Sequence, residues 1–476
     1  MTTGLFLLVC NLEAHNPRGL LVSRSLPRQQ LCGSCRVACV LVACICSSRA
    51  VASDEPNLPP PLAGRLASRA AIQQASPSGD WPQFRGPTGQ GVSDVKGLPI
   101  AWSADKNLLW KTELPGAGAS SPIVVGDRIF LTCYSGYLVP HQSRGNLDQL
   151  QRHVLCLSAA TGKILWKRDV PAILPESPAV REHGYAASTP TSDGERLYVF
   201  FGKSGVFAFT LEGQQIWRAD VGTQFHGWGS AASPVLHHDL VIINACVESE
   251  SLVALEKKSG REVWRVRNMK ESWNTPLVVK NQRGESELIV AILGKILALD
   301  PTSGQERWNC ATEITWYMAP SVVAQGDVVF SLGGRSGVAA LAVRTGGQGN
   351  VTHSHRLWTG LKGSNVSSPV VQGDHLYWVH DNLGIAYCAE ARTGRIVYEE
   401  RLPGAGQVYA SPVLADGNLY YVSRSGRTFV VKASPEYTLL ATNELPDRSS
   451  FDASPAVAGN RLYLRSNRFL YCLGEK

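Results

Sequence analysis

At 476 residues, 44% of them hydrophobic and 18% charged, the chain can bury a large core and is too apolar to be an extended disordered protein. Its formal net charge is +7, of which residues 1–52, with five Arg and one Glu, contribute +4. The remaining +3 is spread without a basic run, which excludes nucleic acid as the main partner.

Residues 1–52 read as a signal or targeting segment. Arg18, Arg24, Arg28 and Arg36 lead into the apolar stretch Val37–Cys46, which is shorter than the roughly 20 residues a membrane span needs. Ala50-Val51-Ala52 has the form of a cleavage site and predicts a mature start at Ser53. Leu41-Val42-Ala43-Cys44 also resembles a lipoprotein box, which would make Cys44 a lipid anchor. Either route predicts export to the periplasm or cell envelope, with no transmembrane helix in the mature chain. Residues 53–78, rich in Pro, Ala and Ser, read as a disordered linker. The rest, 79–476, opens on Asp80–Pro87, DWPQFRGP, an extended segment expected to lie on the body that follows.

From there one pattern repeats. A small residue plus Pro recurs at Ser121-Pro122, Thr189-Pro190, Ser233-Pro234, Thr275-Pro276, Ala319-Pro320, Ser368-Pro369, Ser411-Pro412 and Ser454-Pro455. The steps are 42 to 49 residues after a first step of 68, which an insertion at 134–153 explains. Each unit runs through a short apolar strand, a Gly/Asp/Asn turn, a β-branched and aromatic strand, a second Gly turn, a third strand, a Thr-Gly or Ser-Gly turn and a fourth strand. The fourth carries Trp at Trp166, Trp217, Trp264, Trp308 and Trp358. The last unit stops after three strands, and residues 107–114, with Trp110 in the signature place, supply the fourth from the other end. The expectation is an all-β, eight-bladed β-propeller of four-stranded antiparallel blades, closed by an N-terminal strand and monomeric.

The pattern Pro–strand–strand–(T/S)G–x–x–x–W resembles the PQQ-like (quinoprotein-type) propeller repeat, from about Trp81 to the C-terminus. In that family the Trp docks between neighbouring blades, so Trp110, Trp166, Trp217, Trp264, Trp308 and Trp358 are expected to do so here. DWPQFRGP matches the opening of many exported bacterial proteins of this class, particularly the planctomycete kind. At repeat level the chain is BamB-like. It departs from the quinoprotein dehydrogenases in having no vicinal Cys-Cys pair and no Cys-x-x-Cys-His haem site.

Six cysteines fall after residue 52: Cys133, Cys156, Cys246, Cys310, Cys388 and Cys472. Export permits disulfides, and Cys133 with Cys156, flanking the insertion, is the candidate pair. Strand direction places the loops entering each Pro, and those between second and third strands, on one face. That face also holds the insertion and the long connection 170–184. The residues aimed at its centre include His226, Trp228, Glu271, Trp273, Asn274, Trp316, Tyr317, Arg335, Tyr409 and Asp452. Aromatics with Arg and Asn suit a planar anionic ligand or a protein surface, or else plug the channel. Glu271, Asn274 and Asp452 carry oxygens that suit Ca²⁺. No catalytic residue and no dedicated metal site is expected.

Three functions fit. The first is an exported non-catalytic scaffold or ligand-binding module at the cell envelope, engaging envelope proteins or a small ligand and needing no cofactor. The second, implied by the resemblance, is a PQQ-dependent dehydrogenase or PQQ-binding sensor using PQQ with Ca²⁺. The third is a glycan-binding propeller.

Overall fold

The computed structural model describes residues 79–181 and 183–475. The signal segment, Cys44 and the linker 53–78 lie outside the described residues. Eight sheets follow one another around an axis. Blade one comprises Ile123–Val125, Arg128–Ser135, Gln151–Ser158 and Ile164–Pro171. Blades two to seven span 191–219, 235–267, 277–311, 323–360, 370–401 and 413–443. Blade eight takes Ala456–Ala458, Arg461–Arg465 and Phe469–Leu473, and its outer strand is Leu108–Glu113, antiparallel to Phe469–Leu473. Two short strands add in parallel: Val92–Ser93 on the inner strand of blade seven, and Gly349–Asn350 on the outer strand of blade four.

A closed circle of hydrogen bonds fixes the inner wall. The N–H of Ser121 donates to Thr189 Oγ1 (2.9 Å), and each next residue repeats this through Ser233, Thr275, Ser321, Ser368, Ser411 and Ser454. Ser454 N–H then donates to Ser121 Oγ (3.0 Å) and closes the ring. The position before each inner strand therefore requires a hydroxyl acceptor, and smallness alone does not suffice. This corrects the repeat in blade five: the structural equivalent is Ser321, and Ala319-Pro320 lies two residues early.

The outer wall has a matching rule. The ring of Trp217 packs on Gly260 of the next blade, where a Cβ would come within 2.7 Å of the indole. Trp110 meets Gly162 in the same way, Trp166 meets Gly213, Trp264 meets Gly304, and Trp358 meets Gly394. Four of these indoles donate to a backbone carbonyl near the same turn: Trp110 to Ala159, Trp166 to Leu211, Trp217 to Lys257 and Trp358 to Ala391. Trp264 donates to Pro301. The Thr-Gly turn is thus a dock as well as a turn. Trp308 departs from the rule. It is fully buried, donates to Glu287 Oε2 (2.9 Å), and lies opposite Gly349 of the added parallel strand.

Both cysteines proposed as a pair are free and buried. Cys133 lies opposite His153 and packs toward blade eight, whereas Cys156 lies opposite Phe130 and packs toward blade two. They sit on opposite faces of one sheet, so the expected disulfide is corrected. Burial pushes both thiols up to about 12.

Candidate functional site

The segment 79–93 runs across the inner strands of several blades. Trp81 is fully buried and exchanges two backbone hydrogen bonds with Val124 of blade one. Pro82 O accepts from Ser192 of blade two, Gln90 Oε1 from Ala324 of blade five, and Gly91 O from Leu414 of blade seven. The Arg85 guanidinium donates to the carbonyls of Gln90 and Pro369. It is buried, has no carboxylate partner among the described residues, and burial lowers its pKa to about 9. A span tied to this many blades shuts the channel from below, and Phe84 forms part of the resulting floor.

Above the floor lies a funnel of about 1140 Å³, counting its open mouth. All eight ring residues line its base. Each ring oxygen already accepts an N–H, which leaves the hydroxyl hydrogen as a donor at the floor. One wall is aromatic: Tyr317 contacts Trp228, Trp273 and Trp316, with ring centroids 5.8, 5.7 and 5.4 Å apart. The Trp273 indole N–H donates to Gly229 O (2.8 Å) and fixes that ring. Opposite, the Arg424 guanidinium stacks on Tyr409 at 4.5 Å and donates from Nε to Asp452 Oδ1 (2.7 Å).

Six of the ten residues expected at the site therefore line one space: Trp228, Trp273, Tyr317, Arg335, Tyr409 and Asp452. The other four do not. Trp316 stands on the rim, 37% exposed, under Arg335 at 4.4 Å. His226 packs at a tilt against Trp273, ring centroids 5.2 Å apart, but lines a neighbouring cavity. Asn274 is fully buried and holds the fold together, donating to Ala291 O and Met318 O. Glu271 is exposed at a left-handed φ of 52°. The sequence reading missed Phe84, His183, Asp381, Asn382 and the hydroxyl ring. The recurring Ser/Thr before each inner strand was the signal for that ring.

Of the residues proposed for Ca²⁺, Glu271 and Asn274 do not line the funnel, the Asn274 amide serves the fold, and Asp452 faces Arg424. Among the described residues, no cluster of three His, Cys, Asp or Glu side chains can hold a metal.

The two enlarged loops on this face form one module. Residues 136–150 pack on 172–181 and 183–186 through Tyr137, Val139, Leu150, Tyr185 and Ala186. The Tyr137 hydroxyl donates to Pro178 O (2.7 Å). Beneath them Arg152 reaches Tyr185 O, Ser204 Oγ and Glu176 Oε1 (2.6 Å), with both charges buried. The expected insertion 134–153 is shorter than proposed, because the strands run to Ser135 and resume at Gln151.

Eight four-stranded blades, an axial funnel and a Trp-on-Gly dock between most blades define an eight-bladed β-propeller of PQQ-like repeats. The family model described as outer membrane protein assembly factor BamB matches residues 150–400, more than half of the chain, and the chain belongs to that family. Outer membrane protein assembly factor BamB of Burkholderia pseudomallei (strain K96243) is 22% identical over 75% of this chain and 85% of its own length. A polyvinylalcohol dehydrogenase of a Pseudomonas species is 24% identical over 37% of this chain, and the match spans only 28% of that enzyme. A europium-containing methanol dehydrogenase shares the fold, with TM-score 0.59, 11% identity, and 85% of this chain and 99% of that one covered. The fold is thus common to assembly factors and to enzymes and does not choose between them.

Proposed function

We propose that this chain is a cell-envelope propeller that takes part in outer-membrane protein assembly as a scaffold, with the funnel face as its non-catalytic working surface. The observation that carries this reading is what the funnel face leaves available. On it Asn274 and Asp452 are engaged by neighbouring groups, while large apolar side chains stand exposed on its loops. Phe225, Leu293, Trp316, Leu361 and Leu383 are 44, 41, 37, 76 and 47% exposed, on loops that all open to this side. Exposed aromatic and aliphatic anchors beside Arg are the composition of a protein-binding surface. The BamB relative, matched over most of its own length, supports the same reading.

The test is a deletion in the native host, complemented by the wild type or by a Trp316→Ala/Leu361→Asp double variant. The wild type should restore the amounts of outer-membrane β-barrel proteins, and the double variant should not, at equal abundance of the propeller. Unchanged β-barrel levels in the deletion would refute the reading. In that case, saturable calorimetric binding of PQQ would favour the cofactor alternative.

A further inference from the structure

Away from the funnel, blade one carries a Ser–His–Asp chain across three adjacent strands. Ser135 Oγ lies 2.8 Å from His153 Nε2, and His153 Nδ1 lies 2.6 Å from Asp169 Oδ1. The sheet register explains the alignment. Cys133 pairs with His153 and His153 with Asp169, so all three point to one face, and Ser135, two residues beyond Cys133, shares it. Lys167, two residues before Asp169, adds its ammonium at 2.9 Å.

The chemistry of the chain has one consistent reading. Burial tends to raise the Asp169 carboxyl, but its bonds to Lys167 and His153 outweigh this and hold it below its usual range. An ionised Asp169 requires the hydrogen of the imidazole on Nδ1. Nε2 then presents its lone pair, and the Ser135 hydroxyl donates to it. Burial lowers the His153 pKa, so the ring is neutral at pH 7 and can accept a proton. His153 is 2% exposed, Ser135 is half-buried and Asp169 is exposed, so the imidazole is covered while both outer members of the chain border solvent. A nucleophile hydrogen-bonded to a base that a third group orients is the arrangement that activates serine in hydrolases.

We propose that Ser135, His153 and Asp169 form an esterase-type site on blade one that acts on acyl esters. Ser135 Oγ forms a bond to the acyl carbon as its proton passes to His153 Nε2. The bond from that carbon to the leaving alkoxide breaks, and the alcohol departs with the proton. Water then attacks the acyl carbon, gives its proton to Nε2, and the carboxylic acid leaves as Ser135 recovers its hydrogen. Asp169 acts as a positioning residue, keeping the ring in the tautomer and orientation that face Ser135.

The test uses a fluorophosphonate probe on the folded full-length protein, with peptide mapping of the adduct, alongside hydrolysis of p-nitrophenyl acetate. The expected result is an adduct at Ser135, absent in Ser135→Ala. Labelling should fall roughly 10²–10⁴-fold in His153→Gln, the range a general base supplies. In Asp169→Asn it should fall with a changed pH profile at unchanged secondary structure. If His153→Gln does not fold, Asp169→Asn and Ser135→Ala carry the test. A folded wild type with no adduct at Ser135, or labelling that Asp169→Asn leaves unchanged, overturns the proposal and makes the trio a purely structural way of satisfying a buried imidazole.

Discussion

Ser321→Ala tests whether the hydroxyl ring holds the propeller together and sets its register. The substitution removes the oxygen that accepts the Thr275 N–H at 3.0 Å and leaves the rest of the side chain's volume almost unchanged. Ser321 is 4% exposed but lines the funnel base, so water replaces the lost partner only in part. Leaving a buried donor unsatisfied costs about 1–3 kcal/mol. Unfolding entropy is about 2.1 cal/mol/K per residue, so a body of roughly 400 residues loses roughly 1 °C of Tm per kcal/mol. The expected shift is therefore about 1–3 °C downward by scanning calorimetry, with a parallel drop in urea midpoint. Ser321→Thr should be close to neutral, because Thr189 and Thr275 fill the same role elsewhere in the ring. Ser336→Ala, on an exposed loop of the same blade, is the matched control. If Ser321→Ala is no less stable than Ser336→Ala, the ring carries no weight in blade five and the reasoning fails.

Other predictions follow from the same contacts. Gly260→Ala forces a side chain onto a residue at φ 74° and drives its Cβ to 2.7 Å from the Trp217 ring, so it should destabilise by about 2–4 kcal/mol in denaturant melts. Repeated in a Trp217→Ala background, the packing share of that loss should disappear. Cys133 and Cys156 should be found as separate thiols by non-reducing peptide mapping and should alkylate only on unfolding. Glu248, buried beneath the funnel face with Ser230 Oγ donating to it, has its carboxyl raised by burial to about 7 from 4.5. A raised folded pKa means its contribution is complete below about 4.5 and is lost as pH climbs through 7. Glu248→Gln should therefore flatten the fall in stability across that window, by on the order of 3 kcal/mol at pH 8.

The blades were legible because each turn is written in Gly, Asp or Asn and each strand in β-branched and aromatic residues, and these are local properties. Blade five shows where locality fails. Ala319-Pro320 imitates the repeat, and only the partner hydroxyl on Ser368, 47 residues on, identifies Ser321 as the ring position. The Trp–Gly docks were half legible for the same reason. Gly260 reads as a turn residue, and its second role exists only once Trp217 of the previous blade is beside it.

The funnel residues were legible as a set because the repeat fixes which loops face the axis. Their individual roles were not. Asn274 and Tyr317 stand in similar loops, yet Asn274 is taken up by the backbone of Ala291 and Met318 while Tyr317 faces the cavity. Composition does not distinguish an amide that satisfies buried carbonyls from one that waits for a ligand, since both need the same atoms. The Ser135–His153–Asp169 chain was hidden for a related reason. Its members lie 18 and 16 residues apart on three strands, and only the sheet register places them in contact. In a propeller the inner ring and the outer docks absorb the repeating residues. Chemistry particular to this chain therefore has to come from positions that break the repeat. The enlarged loops beside blade one are the largest such break; Ser135 ends the strand leading into the first of them, and His153 is the third residue of the strand that leaves it.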